Sequence, residues 1–236
     1  MHVVTHTVLA TRRRRQALVL SLGGTAVLVA GLILNLRSQF GPALIALAVG
    51  AGLSWAGVAL ADRWVAVPRP DRAIADGLKE RTGRVFRLYN WVLPADHVLL
   101  APWGLTVFAV YNQDGPVIIQ GPRWRDGRPL WQRFFRLGRR PVKHPAALLS
   151  YETDDLRAAV AGQDETLADV PIEGVAVFTN RAVDLRVARP DVPVLRAADL
   201  RDWVKQAMKR PRLSADRHKR LERALDRVAE ARLGAR

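Results

Sequence analysis

Two absences narrow the reading of this 236-residue chain before any motif is considered. There is no cysteine, which excludes disulfides and every thiolate metal site. There is also no acidic residue before Asp62, although the chain carries 22 acids in all. Its five histidines, His2, His6, His97, His144 and His218, are scattered, and no two share the spacing that a helix or hairpin needs to hold zinc. No cofactor is expected from these patterns.

The first 61 residues are dominated by apolar side chains. Two long runs, residues 17–36 and 40–61, are each near the ~20 residues that cross a bilayer's hydrocarbon. Arg37, Ser38 and Gln39 lie between them, so the two read as a tight transmembrane hairpin. Arg12, Arg13, Arg14 and Arg15 precede the first run, and Arg63, Arg69 and Arg72 follow the second. By the positive-inside rule both ends face the cytoplasm and the bridge lies outside. The expected location is thus the cytoplasmic membrane, multi-pass, with residues 1–16 a basic cytoplasmic N-terminus. A signal peptide also begins with bases and an apolar run. Here the run is too long and a second span follows directly. Gly23, Gly24, Gly31, Gly50, Gly52 and Gly57 suit close helix approach, within one hairpin or between copies of it.

After a linker over residues 62–70, with its prolines at 68 and 70, the composition changes to that of a soluble domain. The formal charge is +15, and the 37 bases less the five before Asp62, set against 22 acids, leave the remainder at about +10. Such a domain beside a bilayer has two natural anionic partners, lipid head groups and nucleic acid. Charge alone also fits a merely solvated surface. Period and turn chemistry predict a helix over 71–79, strands over 85–93, 97–101, 105–111 and 117–120, and a helix over 145–161. Strands over 172–179 and 192–195 follow, then a helix over 199–208 and a basic C-terminal helix within 209–236. This is an α/β order, a mixed sheet flanked by helices. In the last helix Glu222, Asp226 and Glu230 recur every four residues, which predicts ion pairs along it.

Arg123-Trp124-Arg125, Arg128, Trp131, Arg133-Phe134-Phe135-Arg136 and Arg139-Arg140 interleave bases with aromatics. Arginine pairs with phosphate oxygens, and rings stack on bases or seat at a membrane interface. Arg123, Arg125, Arg128, Arg133, Arg136, Arg139 and Arg140 are therefore the candidate anion-binding residues. The competing reading is a surface insertion whose rings pack on the core.

The run from Leu93 through Pro94, Ala95, Asp96 and His97 to Pro102-Trp103-Gly104, and the strand Leu105 to Asn112, resemble the nuclease-related domain family, NERD. Gly115 and Trp124 fit its later spacing, Lys143-His144-Pro145-Ala146 is similar to its helix-opening Asn-Pro, and Val175 to Thr179 to its later core strand. The likeness spans 71–208 and implies a restriction-endonuclease-like core. It also implies a site with an Asp on one strand and Glu-x-Lys on the next. Residues i and i+2 project from one face of a strand, so such a pair serves one Mg²⁺. Asp96 fits the first position, and Asp71 an earlier acidic one on the helix. The Glu position holds Ala109 and the Lys position Tyr111. The expectation is a catalytically degenerate module with Asp96 and Asp71 as vestigial candidates, Asp96 being the metal candidate if there is one. Asp114 is a possible replacement carboxylate that also suits its turn. His97 is either a base or a structural residue. Two alternatives stand beside this: a metal-dependent nuclease with a rearranged site using Mg²⁺, and a structural membrane protein with no nucleic-acid contact.

Overall fold

The computed structural model describes residues 1–65, 68–79, 82–129, 131–132 and 142–234, apart from the side chains of Asp62 and Arg63. It is a mixed α/β chain in two units. One is the apolar hairpin, α1 (Thr7–Leu36) and α2 (Phe40–Trp64). Arg128, Pro129, Trp131 and Gln132 group with it. The other is built from residues 1–6, 68–127 and the chain from Val142 onward.

Both helices are long and apolar enough to cross a membrane, and only 17% of each apolar window is buried. A core helix of a water-soluble protein hides most of such a window. Here Leu22, Leu32, Leu44 and Ile45 stand exposed. The buried residues of α1 are all small, Ala10, Ala17, Gly24 and Gly31, and they lie seven apart. Ala43, Gly50 and Gly57 repeat the interval on α2. A seven-residue repeat keeps one seam of a helix facing its partner. At that seam a Cβ on Gly57 would sit 2.5 Å from the Ser21 backbone nitrogen, and one on Gly50 2.8 Å from that of Leu28. Gly23 and Gly52, by contrast, face open space. The helix starts ten residues earlier than the apolar run, because Thr7 to Gln16 hold no breaker and arginine is a good helix former.

The second unit begins at the N-terminus. β1 (His2–Thr5) pairs in parallel with β2 (Arg87–Asn90). From there β3 (His97–Ala101) and β4 (Gly104–Tyr111) continue as an antiparallel meander. β7 (Ile172–Phe178) lies parallel to β4, and β9 (Val194–Arg196) parallel to β7. The sheet order is β1-β2-β3-β4-β7-β9. A smaller sheet holds β6 (Arg123–Asp126), β5 (Gly115–Gln120) and β8 (Val183–Ala188) in that order. Residues 1–16 are thus a sheet strand plus the start of α1, where a basic tail was expected. β2 is shorter than the expected 85–93 because Trp91 turns the chain out of it at φ 59°.

Helices cover both faces of the larger sheet. α4 (Ala146–Ala161) and α6 (Ala215–Gly234) lie over Val98, Leu100, Val107 and Ala109. α3 (Pro70–Lys79) and α5 (Leu200–Ala207) lie over Leu88, Leu99, Phe108, Val175 and Val177. The alternation along β3 and β4 divides their residues between the two layers. α6 docks through Leu221, Ala224, Leu225 and Val228. Two of the three acids expected to pair along the helix reach across to β2: Arg87 bonds Asp226 at 2.8 Å and pairs with Glu222. Tyr89 donates to Asp226 at 2.8 Å, and burial together with that carboxylate pushes its phenol upward.

His218 on α6 is half-buried, with Nε2 buried and unpartnered among the described residues. Burial holds its imidazole below the ordinary 6.5, with the nearby Arg87 acting in the same sense and Glu222 opposing. The unfolded chain therefore takes up a proton near pH 6.5 that the folded chain refuses until lower pH. Stability is full above that value and falls as the pH drops below it. Thermal melts at about pH 7.5 and 5.5 should show a smaller acid-side loss for His218→Gln than for the parent.

Candidate functional site

Asp96 lies in the buried loop from Trp91 that joins β2 to β3. The loop closes where the Trp91 amide donates to the Asp96 carbonyl at 2.7 Å. Trp91 itself sits at positive φ, which is costly for an aromatic residue and is held here by burial. Its ring meets His97 edge-on, centroids 5.1 Å apart. His97 Nδ1 lies 2.8 Å from Asn90 Oδ1, and Asn90 Nδ2 donates to Thr5 Oγ1 at 3.2 Å. An amide oxygen only accepts, so Nδ1 carries the imidazole proton in this arrangement. The row Thr5, Asn90, His97 runs across three strands and ties the N-terminal strand to the corner that holds Asp96.

In the register of β3 and β4, Val98 stands opposite Val107. Continuing two residues brings Asp96 to the level of Ala109. Ala109 is buried beneath the α4–α6 layer. Tyr111 stacks on Phe178 at 5.0 Å and lies 5.6 Å from Trp124, and its hydroxyl donates to the Lys143 carbonyl at 2.8 Å. Burial pushes that phenol well above its ordinary range, so the position is neutral. Asp71 belongs to α3 on the opposite face of the sheet, where Arg69 clasps its carboxylate at 2.5 and 3.1 Å. Glu173 stands opposite Thr106, three residues back along β4 from Ala109, and is bound by Thr106 and Arg210. Asp114 lies in the turn before β5. Among the described residues no three carboxylate or imidazole side chains gather as metal ligands would. A magnesium site on the nuclease pattern needs a second carboxylate beside Asp96, and Ala109 supplies no donor.

The arginines divide. Arg123 and Arg125 are exposed on β6, while Trp124 between them points inward to Tyr111 and Phe178. That ring is core, not a stacking platform. Arg125 pairs with Ile118 of β5, and Ile118 with Arg186 of β8. Arg123, Arg125 and Arg186 therefore share the outer face of the small sheet, with Arg186 also bonded to Asp184 at 3.1 Å. Arg186 was not expected, although Val-Asp-Leu-Arg-Val alternates with a period of two, the mark of a half-buried strand. Arg128 groups with the hairpin. Arg133, Arg136, Arg139 and Arg140 lie outside the described residues. The C-terminal arginines are largely engaged with the domain itself: Arg220 clasps Asp164 at 2.9 and 2.7 Å, Arg217 pairs with Asp169, and Arg232 bonds the Leu93 carbonyl.

His144 meets the Trp124 ring edge-on, centroids 5.6 Å apart. It accepts the Ala146 amide on Nδ1 at 3.1 Å, so Nε2 bears the proton and donates to Asp191 at 2.9 Å. That bond holds the Asp191 carboxyl below its usual range. No family model, no curated protein and no solved structure matches this chain.

Proposed function

We propose that this is a bilayer-anchored, nuclease-related module with a restriction-endonuclease-like core that binds a phosphate-bearing partner without cutting it. The observation that carries the reading is the pair Ala109 and Tyr111. They occupy the two positions where the nuclease pattern needs charge, and both are given over to packing. The order α3, β2-β3-β4, α4, β7, with β7 parallel to β4, supports the core assignment.

Anchoring is supported by the exposed apolar faces of α1 and α2, which need lipid as solvent. Both ends of the hairpin lead into the same folded unit, through β1 before α1 and through α3 after α2. That unit lies on one side of the bilayer, so the chain crosses an even number of times. Arg12 to Arg15 set that side as the cytoplasm.

Arg123, Arg125 and Arg186 are the proposed phosphate contacts. Binding of single-stranded DNA, double-stranded DNA and anionic vesicles by the purified full chain distinguishes the partners. For a nucleic acid, log K should fall linearly with log salt, and Arg123→Gln with Arg125→Gln should reduce the slope by about 0.7–0.9 for each phosphate no longer neutralised. Anionic vesicles bound more tightly than either DNA identify head groups as the partner. Mg²⁺-dependent cleavage that disappears in Asp96→Ala overturns the non-catalytic reading.

A further inference from the structure

The first helix enters its apolar run through four consecutive arginines, Arg12 to Arg15. They occupy the second and third turns of α1, so their side chains, not the helix end, present the charge. At about 100° per residue, four in a row point round almost the whole helix. Arg14 lies between Ala10 and Ala17 on the face that meets α2 and is half-buried. Arg12, Arg13 and Arg15 are exposed. Arg13 donates to Gln16 Oε1 at 3.4 Å, and no carboxylate bonds any of the four among the described residues. No acid precedes Asp62, and Asp62 with its neighbour Arg63 adds no net charge to the adjoining end of α2.

Depth follows from the helix. The apolar run begins at Ala17, and at ~1.5 Å per residue the four arginines stand about 3–8 Å before it along the axis. The head-group layer on each side of the hydrocarbon is about 5–8 Å thick. In a bilayer the guanidinium groups therefore stand at the level of the lipid phosphates. A continuous helix fixes them there, where a basic tail was expected. A guanidinium keeps its charge and bonds phosphate oxygens in pairs.

We propose that Arg12, Arg13 and Arg15 form a collar that selects anionic over zwitterionic phospholipids in the lipid shell around the hairpin. Both kinds of lipid bring a phosphate. In a zwitterionic head group an ammonium offsets it and is repelled by the collar, whereas an anionic head group keeps its full charge. Arg14, turned towards α2, takes no part. The proposal rests on the bilayer-anchored reading of α1 and α2. It does not depend on the phosphate contacts of the small sheet.

The test reconstitutes the full chain in phosphatidylcholine bilayers that hold a trace of spin-labelled phosphatidylglycerol or phosphatidylcholine, with the label near the end of one acyl chain. Lipid in contact with protein gives a motionally restricted spectrum, distinct from that of the bulk. The expected result is a restricted component with both lipids and a preference for phosphatidylglycerol of at least about twofold, falling as salt rises. Arg12→Gln, Arg13→Gln and Arg15→Gln together should abolish the preference, and the corresponding triple with lysine should keep it. Arg14→Gln should keep it, and so should Arg123→Gln with Arg125→Gln. Equal restriction of the two lipids, or a preference that survives the triple glutamine variant, overturns the collar and leaves the anchor standing. No restricted component with either lipid removes the anchor and the collar together.

Discussion

A chain that starts with Met followed directly by Thr7 is expected to melt at least roughly 10 °C below the full chain. The deletion removes β1, whose ladder along β2 runs from the His2 amide on the Phe86 carbonyl to the His6 amide on the Asn90 carbonyl. Each such bond contributes about 0.5–1.5 kcal/mol net. It also removes Thr5, the acceptor for the fully buried Asn90, and an unmet buried donor costs about 1–3 kcal/mol. Val4, which packs partly on the core, is lost as well. The sum is on the order of 4–6 kcal/mol, a large share of the ~5–15 kcal/mol that holds a domain together. For a unit of this size each kcal/mol moves the melting point by about 2–4 °C. Scanning fluorimetry of the two proteins in the same detergent reads the difference. Thr5→Val isolates the Asn90 contribution and should account for a few degrees. Equal melting points would mean that β1 does not pair with β2 in the folded chain.

The same strand shows where the sequence was hard to read. His-Val-Val-Thr is a good β-former, but four residues leading straight into a long helix give too short a pattern to stand out. Its partner β2 lies some eighty residues away, beyond the whole hairpin. No local signal reports a pairing of that span. β8 is a different failure. Its alternation was present, and the turn after β7 hid it. The meander β2 to β4, α4, β7, α5 and α6 were legible because each carries its own period and its own breaker. The candidate site was legible only where it departs from a pattern. Ala109 and Tyr111 are evident from spacing, whereas the aromatic stack that claims Tyr111 depends on Phe178 and Trp124, brought in by other strands. Of the seven candidate arginines, alternation alone places Arg123 and Arg125 on one exposed face; Arg186 joins them only through the order β6-β5-β8.

Substitution along the helical hairpin should separate neighbouring glycines into two classes. Gly24→Leu and Gly50→Leu are expected to drive α1 and α2 apart, while Gly23→Leu and Gly52→Leu leave them in place. A Cβ on Gly24 would fall on the Ser54 backbone and lie 2.9 Å from the Gly50 carbonyl oxygen, and one on Gly50 lies 2.8 Å from the Leu28 nitrogen. These neighbours are main-chain atoms of the opposing helix. They cannot rotate away as a side chain end does, so the axes themselves must part. In lipid the cost is not recovered by any hydrophobic gain, because the tails are as apolar as leucine and packing at small residues is what favours association. Gly23 and Gly52 have nothing within 4 Å, and leucine there adds only to the surface already exposed. Replacing a central seam glycine should cost about 1–3 kcal/mol or more, the usual scale for overfilling a close-packed contact. Because the chain has no cysteine, spin labels can be placed at Val19→Cys and Val58→Cys without any background. Both positions are exposed. Their distance distribution should broaden and move outward in Gly24→Leu and Gly50→Leu, and match the parent in Gly23→Leu and Gly52→Leu. A uniform response across all four would mean that the seven-residue seam of Ala17, Gly24 and Gly31 against Ala43, Gly50 and Gly57 is not what joins the helices.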